Sequence, residues 1–177
     1  MRFDEILCER IMKTISPKMQ AEAEAQGFDT TRILYHGTNR RFTGFRLPKT
    51  RGYDELGQGV YVTDVKWLAN TWARSKGFVL SCYIKKGPLL DLGDREAKMR
   101  AAYEGHCLFM DDTFGPDTNS RYDYDDFLDM AKRMTDFNRF LAYTDFVGGY
   151  DASSQIRGQI VVFRPENVMI VAREAGE

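Results

Sequence analysis

Two short stretches hold the side chains best suited to chemistry: LYHGT at 34–38 and LGQGVYVTD at 56–64. His36 is one of only two histidines in the chain, and it sits between a strand-like start and Gly37, with the Thr38 hydroxyl next. In the second stretch Tyr61 lies between the β-branched Val60 and Val62, an alternation that predicts a short strand. Gly57 and Gly59 precede it, and glycine lets another group approach the main chain closely. If the two stretches pair, an imidazole, a small-residue gap and a phenol ring share one cleft. Such a cleft offers an aromatic face for stacking and bare backbone for binding an amide. A flat heteroaromatic amide such as nicotinamide has the matching shape.

The flanking sequence must supply the elements that position these groups. Residues 32–36 read as a first strand and 39–53 as a polar loop carrying Arg40, Arg41, Arg46, Lys49 and Arg51. That basic cluster is either a solvated loop or a lid over the phosphates of a dinucleotide. Asp64 can cap a helix from 65 to about 76, with Trp67 in the core. FVLSCYIK at 78–85 is a strand, followed by a short extended segment at 88–92. Helix is expected at 94–103, a loop at DDTFGPDTNS (111–120), and one long amphipathic helix at 122–143. Residues 147–158 are rich in glycine and serine and read as a mobile loop. QIVVF at 159–163 and the segment 168–172 read as buried strands. Upstream, apolar spacing predicts an amphipathic helix at 4–15 and a second helix at 18–26 closed by Gly27. Strands fall towards both ends of the chain and helices between them, which is an α+β pattern.

At 177 residues the chain is long enough for one domain with a sizeable core. A net charge of −1 argues against general electrostatic attraction to nucleic acid and leaves only a local basic patch open. Cys8, Cys82 and Cys107 are odd in number and lack metal-ligand spacing, so reduced thiols are expected. Asp111 and Asp112 have no further ligands nearby, and no metal is expected. No apolar run reaches membrane-spanning length, and charges interrupt the first residues as they do not in a signal peptide. A cytoplasmic location follows, in the producing cell or in a target cell, with no membrane partner. His106 lacks the company that His36 has, and reads as structural or exposed.

HGT at 36–38, GVYVT at 59–63 and IVVFRP at 160–165 stand in an order that resembles the ADP-ribosyltransferase family. The likeness is to the diphtheria-toxin and poly(ADP-ribose) polymerase branch, whose triad is His-Tyr-Glu. The motifs lie within 32–85 and 145–172. The resemblance implies one domain over 1–177 with a split antiparallel β-sheet core and flanking helices, a helical extension at 1–30 and a helical insertion at 93–144. It also implies NAD as a substrate. His36 would bond a ribose hydroxyl, Gly37 would hold the carboxamide, and Thr38 and Gly59 would border the same ligand. Tyr61 would stack on the nicotinamide ring, with Trp72, eleven residues later, on its other face. Tyr150, Ser153, Ser154, Gln155 and Arg157 would contact the acceptor.

The third member of the triad differs, because the glutamate position is Gln159. Cleavage of the nicotinamide–ribose bond builds positive charge on the ribose, which a carboxylate stabilises and a neutral amide does not. Gln159 fits an introduced Glu→Gln inactivation, a natural glutamine with altered activity, or a shifted strand register. The function implied is mono-ADP-ribosyl transfer from NAD to a macromolecular acceptor, protein or nucleic acid, with nicotinamide released. A bacterial or phage toxin or effector works this way, and a neutralising partner protein can accompany one. The rival is a catalytically silent NAD- or ADP-ribose-binding interaction module. A further alternative is transfer of a 2′-phosphate from RNA to NAD, which needs several basic residues at the acceptor.

Overall fold

A computed structural model of the chain describes residues 15–47, 56–116, 123–134, 136–154 and 158–176. All but the last residue of the expected helix at 4–15, residues 48–53 of the expected loop at 39–53, and Gln155 and Arg157 lie outside the described residues. The runs rich in β-branched and aromatic residues form strands β1 (Leu34–Thr38), β2 (Val60–Thr63) and β3 (Phe78–Ile84), and the short LLD segment forms β4 (Leu89–Asp91). After the helical region come β5 (Gly148–Tyr150), β6 (Gln159–Val162) and β7 (Val168–Ala175). The helices are α1 (Pro17–Ala25), α2 (Lys66–Ala73), α3 (Arg95–Phe114), α4 (Tyr124–Ala131) and α5 (Asn138–Leu141). The described chain is α+β, with one seven-stranded sheet in the order β4-β5-β6-β2-β1-β3-β7. Its pairings are antiparallel except β4 with β5, which is parallel and departs from the all-antiparallel expectation.

The sheet nearly divides in its middle. β1 pairs with β3 from Leu34 to Thr38, and β2 pairs with β6 from Val60 to Thr63. Between β1 and β2 a single residue pair, Tyr35 with Thr63, joins the halves. Beyond Tyr35, β1 is pressed under α2. A Cβ at Gly37 would fall on the Ala69 carbonyl oxygen and stand 2.7 Å from the Ala73 nitrogen. Helix and strand backbones therefore meet where only glycine fits.

Side-chain alternation assigns each face its cover. Tyr35, Val79 and Tyr83 face Ala69 and Ala73 of α2 and the α1 segment with Ile15, Ala23 and Phe28. On the same side of the other half, Val161, Phe163 and Tyr61 pack against the helical region through Ala102, Phe127, Phe140 and Leu141. The opposite face carries Leu34, Val60, Val62, Leu80 and Cys82, covered in part by Phe42 and Phe45 of the loop after β1.

Several sequence expectations need correction. The single helix at 122–143 is two helices, because after Ala131 the chain leaves the helix and sends Asp136 and Asn138 back towards β2. The predicted loop at 147–158 contains β5. Gly148 and Gly149 are present there because a Cβ at Gly148 would strike the Val161 carbonyl and one at Gly149 would reach Leu92 at 2.7 Å. The helix predicted at 94–103 runs on to Phe114, so the first residues of the expected loop at 111–120 are helical. Asp94 caps it, accepting from Glu96 N and Ala97 N. Asp64 does not cap α2, whose N-cap is Val65. Instead, the Thr63 hydroxyl accepts the Val65 amide at 3.0 Å. Trp67 is not core but 68% exposed. His106 is buried against Phe127 and Phe140, a structural role.

Replacing Gly37 with alanine is expected to destabilise the fold by about 3 kcal/mol, the upper end for overpacking, because both colliding groups are backbone. Urea unfolding at equilibrium measures this, and a loss below about 1 kcal/mol would show that α2 can move away freely.

Candidate functional site

The parting between β1 and β2 is where the two sequence motifs meet. His36 Nδ1 lies 2.7 Å from the Tyr61 carbonyl oxygen, across the gap that strand pairing leaves open. A carbonyl can only accept, so Nδ1 carries the proton and donates. Burial pushes the His36 pKa down, with the Tyr61 carbonyl opposing in part. The neutral ring is thus favoured at neutral pH. Its Nε2 is then an unprotonated acceptor, with no hydrogen bond to another described residue. The edge of the ring is held by Phe45, whose centroid is 4.9 Å away, and by Phe42 at 6.1 Å.

His36 also lines an open cavity of about 780 Å³, together with Arg40, Arg41, Phe42, Phe45, Gly59 and Val60. The Thr38 hydroxyl shapes the entry to the loop by accepting the Arg40 amide at 3.2 Å. Sequence reasoning took the loop as polar, whereas its two phenylalanines make it a partial cover for the sheet. The cavity's described lining includes Gly59 but not Gly37, Tyr61, Trp72 or Gln159.

Tyr61 projects its ring to the other side, towards the helical region. Its hydroxyl donates to the Gly57 carbonyl at 2.8 Å and accepts the Leu56 amide at 3.0 Å. Two residues that sequence reasoning missed complete this turn. Asn138, buried at the start of α5, donates through Nδ2 to the carbonyls of Leu56 and Gln58, both at 2.8 Å. Asp136 accepts the Gln58 amide at 2.9 Å with one oxygen and the Asn138 amide at 2.9 Å with the other. Gly57, at φ +84°, adopts a conformation that favours glycine, and a Cβ there would stand 2.7 Å from Asp136 Oδ1. The Asp-x-Asn pattern at 136–138 is a turn signal, but nothing in it points to a turn some eighty residues earlier.

Gln159 opens β6 half-buried and pairs with Thr63, which pairs in turn with Tyr35. It therefore lies two strands from β1, about 10 Å across the sheet. Asp64 follows Thr63, exposed. Its carboxylate stands against the backbone of Gly158, where a Cβ would strike Asp64 Oδ1, and it forms no hydrogen bond or ion pair with a described residue. Trp72 is half-buried on α2, on the helix that Gly37 touches. In the proposed acceptor segment, Tyr150 is partly exposed in β5. Ser153 donates its hydroxyl to Asp151 at 2.6 Å, and Ser154 donates its amide to the Asp151 carbonyl at 3.2 Å. The Ser153 hydroxyl is the largest influence holding the Asp151 carboxyl below its usual range. Among the described residues no three histidine, cysteine or carboxylate side chains converge as metal ligands. No helix there is long and apolar enough to cross a membrane.

Family models, curated proteins and solved structures give no match to this chain.

Replacing Asn138 with alanine leaves two carbonyls without their donor and is expected to cost about 2–3 kcal/mol. Asn138→Asp should do no better, since a carboxylate would face two carbonyl oxygens. Urea unfolding compares the two, and a stable Asn138→Asp chain would show that the turn does not need the amide. Burial holds both His36 and His106 below the ordinary value of 6.5, so protons favour the unfolded chain as pH falls through 6.5. Stability should therefore be flat above that pH for this cause and decline below it. Asp29 and Asp151 titrate below the carboxylate value of 3.8 and do not act in that window. Thermal melts at about pH 7.5 and about pH 5.5 should differ less in a His36→Gln/His106→Gln chain than in the wild type.

Proposed function

We propose that the chain binds NAD at the parting of the sheet and transfers ADP-ribose from it to a macromolecular acceptor, releasing nicotinamide. The observation that supports this best is His36. A neutral imidazole with Nδ1–H fixed on the Tyr61 carbonyl presents Nε2 as an acceptor, which suits the hydroxyl of a ribose. The order of HGT, GVYVT and the β6 motif agrees with the ADP-ribosyltransferase resemblance. In that reading the split sheet is the family's core and Gly37 and Trp72 border the nicotinamide, whereas Tyr61, expected to stack on it, turns its ring to the face away from His36.

In the reaction the bond from nicotinamide to ribose C1′ breaks, and its electron pair neutralises the pyridinium nitrogen. Positive charge grows on the ribose until an acceptor nucleophile bonds to C1′ and gives up its proton. Gln159 can hydrogen-bond a ribose hydroxyl but brings no charge. Asp64, which stands at the Gly158 backbone with no hydrogen bond or ion pair to a described residue, would supply the local negative charge and take the acceptor's proton. The second reading, a silent NAD- or ADP-ribose-binding module, is favoured by the neutral side chain at Gln159 itself.

Nicotinamide release from NAD separates the two. Gln159→Glu should raise the rate by about 10²-fold, the usual size of one such electrostatic contact. Asp64→Asn should lower the slow release of the parent chain, and His36→Ala should abolish it. NAD binding by calorimetry with no gain from Gln159→Glu would favour the silent module. No binding by either protein would sink the NAD reading.

A further inference from the structure

The loop after β1 gathers arginines and phenylalanines around the cavity that His36 lines. Arg40, Arg41 and Arg46 are all exposed and surround the same cavity as Phe42 and Phe45. None of the three forms an ion pair with a described residue. The described part of the loop, NRRFTGFRL at 39–47, contains no carboxylate. Guanidinium groups with no counter-charge among the described residues repel one another, and a bound anion relieves that repulsion. The cluster is also built into the fold. Arg41 lies 5.0 Å over the Phe78 ring, and Arg173 lies over the same ring at 5.8 Å while donating to the Phe42 carbonyl. Phe42 and Phe45 stand edge to face at 5.1 Å. Glu174, the nearest acid in sequence to Arg173, is engaged by Lys66 at 2.7 Å. Locally the charge is positive, although the chain as a whole carries −1.

We infer that this arginine–phenylalanine cavity binds the phosphodiester backbone of a single-stranded nucleic acid. Guanidinium groups form paired hydrogen bonds with phosphate oxygens, and aromatic rings beside them accept unstacked bases. A concave site of about 780 Å³ admits a splayed nucleotide, whereas the convex edge of a duplex needs an extended positive face. Half-burial of Phe42 and Phe45 leaves ring surface at the cavity for such a base. The inference does not depend on the NAD reading, since it concerns binding alone. If both hold, the acceptor in the transfer is the nucleic acid.

The test is fluorescence anisotropy of a short labelled oligothymidylate with the full chain across a salt series, without NAD. Each phosphate on a single strand contributes about −0.7 to the logarithmic salt slope, so three arginines should give a slope of about −2. Arg40→Gln/Arg41→Gln/Arg46→Gln should weaken binding at least about tenfold and flatten the slope. Arg40→Lys/Arg41→Lys/Arg46→Lys should keep most of the slope, which separates lost charge from a disturbed loop. Circular dichroism and the thermal midpoint confirm that both variants fold. No salt-dependent binding by the wild type would overturn the inference. So would a glutamine variant that binds oligothymidylate as well as the wild type does. If that variant lost only its affinity for free ADP-ribose, the arginines would belong to the dinucleotide instead.

Discussion

The close approach of α2 to β1 at Gly37 is the constraint on which the rest of the site depends. Because the Ala69 and Ala73 backbone occupies the space over Gly37, β1 is drawn towards the helix just where it would otherwise continue beside β2. Pairing between the two strands stops at Tyr35 and Thr63, and a gap opens in the middle of the sheet. A sheet rarely leaves backbone polar groups unpaired in its interior. Here the Tyr61 carbonyl is satisfied by an imidazole from the strand that moved away. That one bond fixes the tautomer and orientation of His36. The helix, the gap and the histidine are thus one structural decision.

The helical region between β4 and β5 is no appendage, because it completes the strand that bears Tyr61. Asp136 and Asn138 take up the amide and carbonyls of the turn ahead of β2, and the Tyr61 hydroxyl takes up the rest. Buried polar groups of this kind are costly unless every partner is present. The turn therefore has one low-energy arrangement, and it exists only when the helices have docked. This also explains the break after Ala131. A continuous helix would carry residue 136 around its own axis instead of out to Gln58.

Much of the architecture was readable in the sequence, for identifiable reasons. FVLSCYIK and QIVVF announce themselves by β-branched and aromatic content, and the α+β order follows from where such runs fall. That LYHGT and GVYVT are neighbouring strands was readable as a possibility, but not that a single pair, Tyr35 with Thr63, would join them. What escaped is long-range. Nothing local in Gly148-Gly149 distinguishes a flexible loop from a strand that must lie close against its neighbour. Trp67 reads as core by hydrophobicity, but its position on α2 turns it away from Ala69 and Ala73, the face that meets the sheet. Asn138 could be recognised as a turn residue but not as the partner of Leu56 and Gln58. Asp64 looked like a helix cap because aspartate commonly is one, whereas Thr63 intercepts the amide first.

The distribution of charge about the gap follows from the same arrangement. Burial pushes the His36 pKa down and favours the neutral ring, and Gln159 at the start of β6 is neutral as well. Formal charge is thereby displaced to the two rims. Arginines gather on the Phe42 and Phe45 side, and Asp64 stands beside Gly158 at the opposite end of β2. A neutral centre beside a cationic rim complements a ligand whose uncharged hydroxyls adjoin one anionic group, whereas the Asp64 carboxylate would repel a second anion at its own end. The neutral centre suits less well a ligand charged at its middle, which would lose hydration there and gain no counter-charge. Under the proposed reading, hydroxyls would therefore lie at His36 and phosphates at the arginine rim.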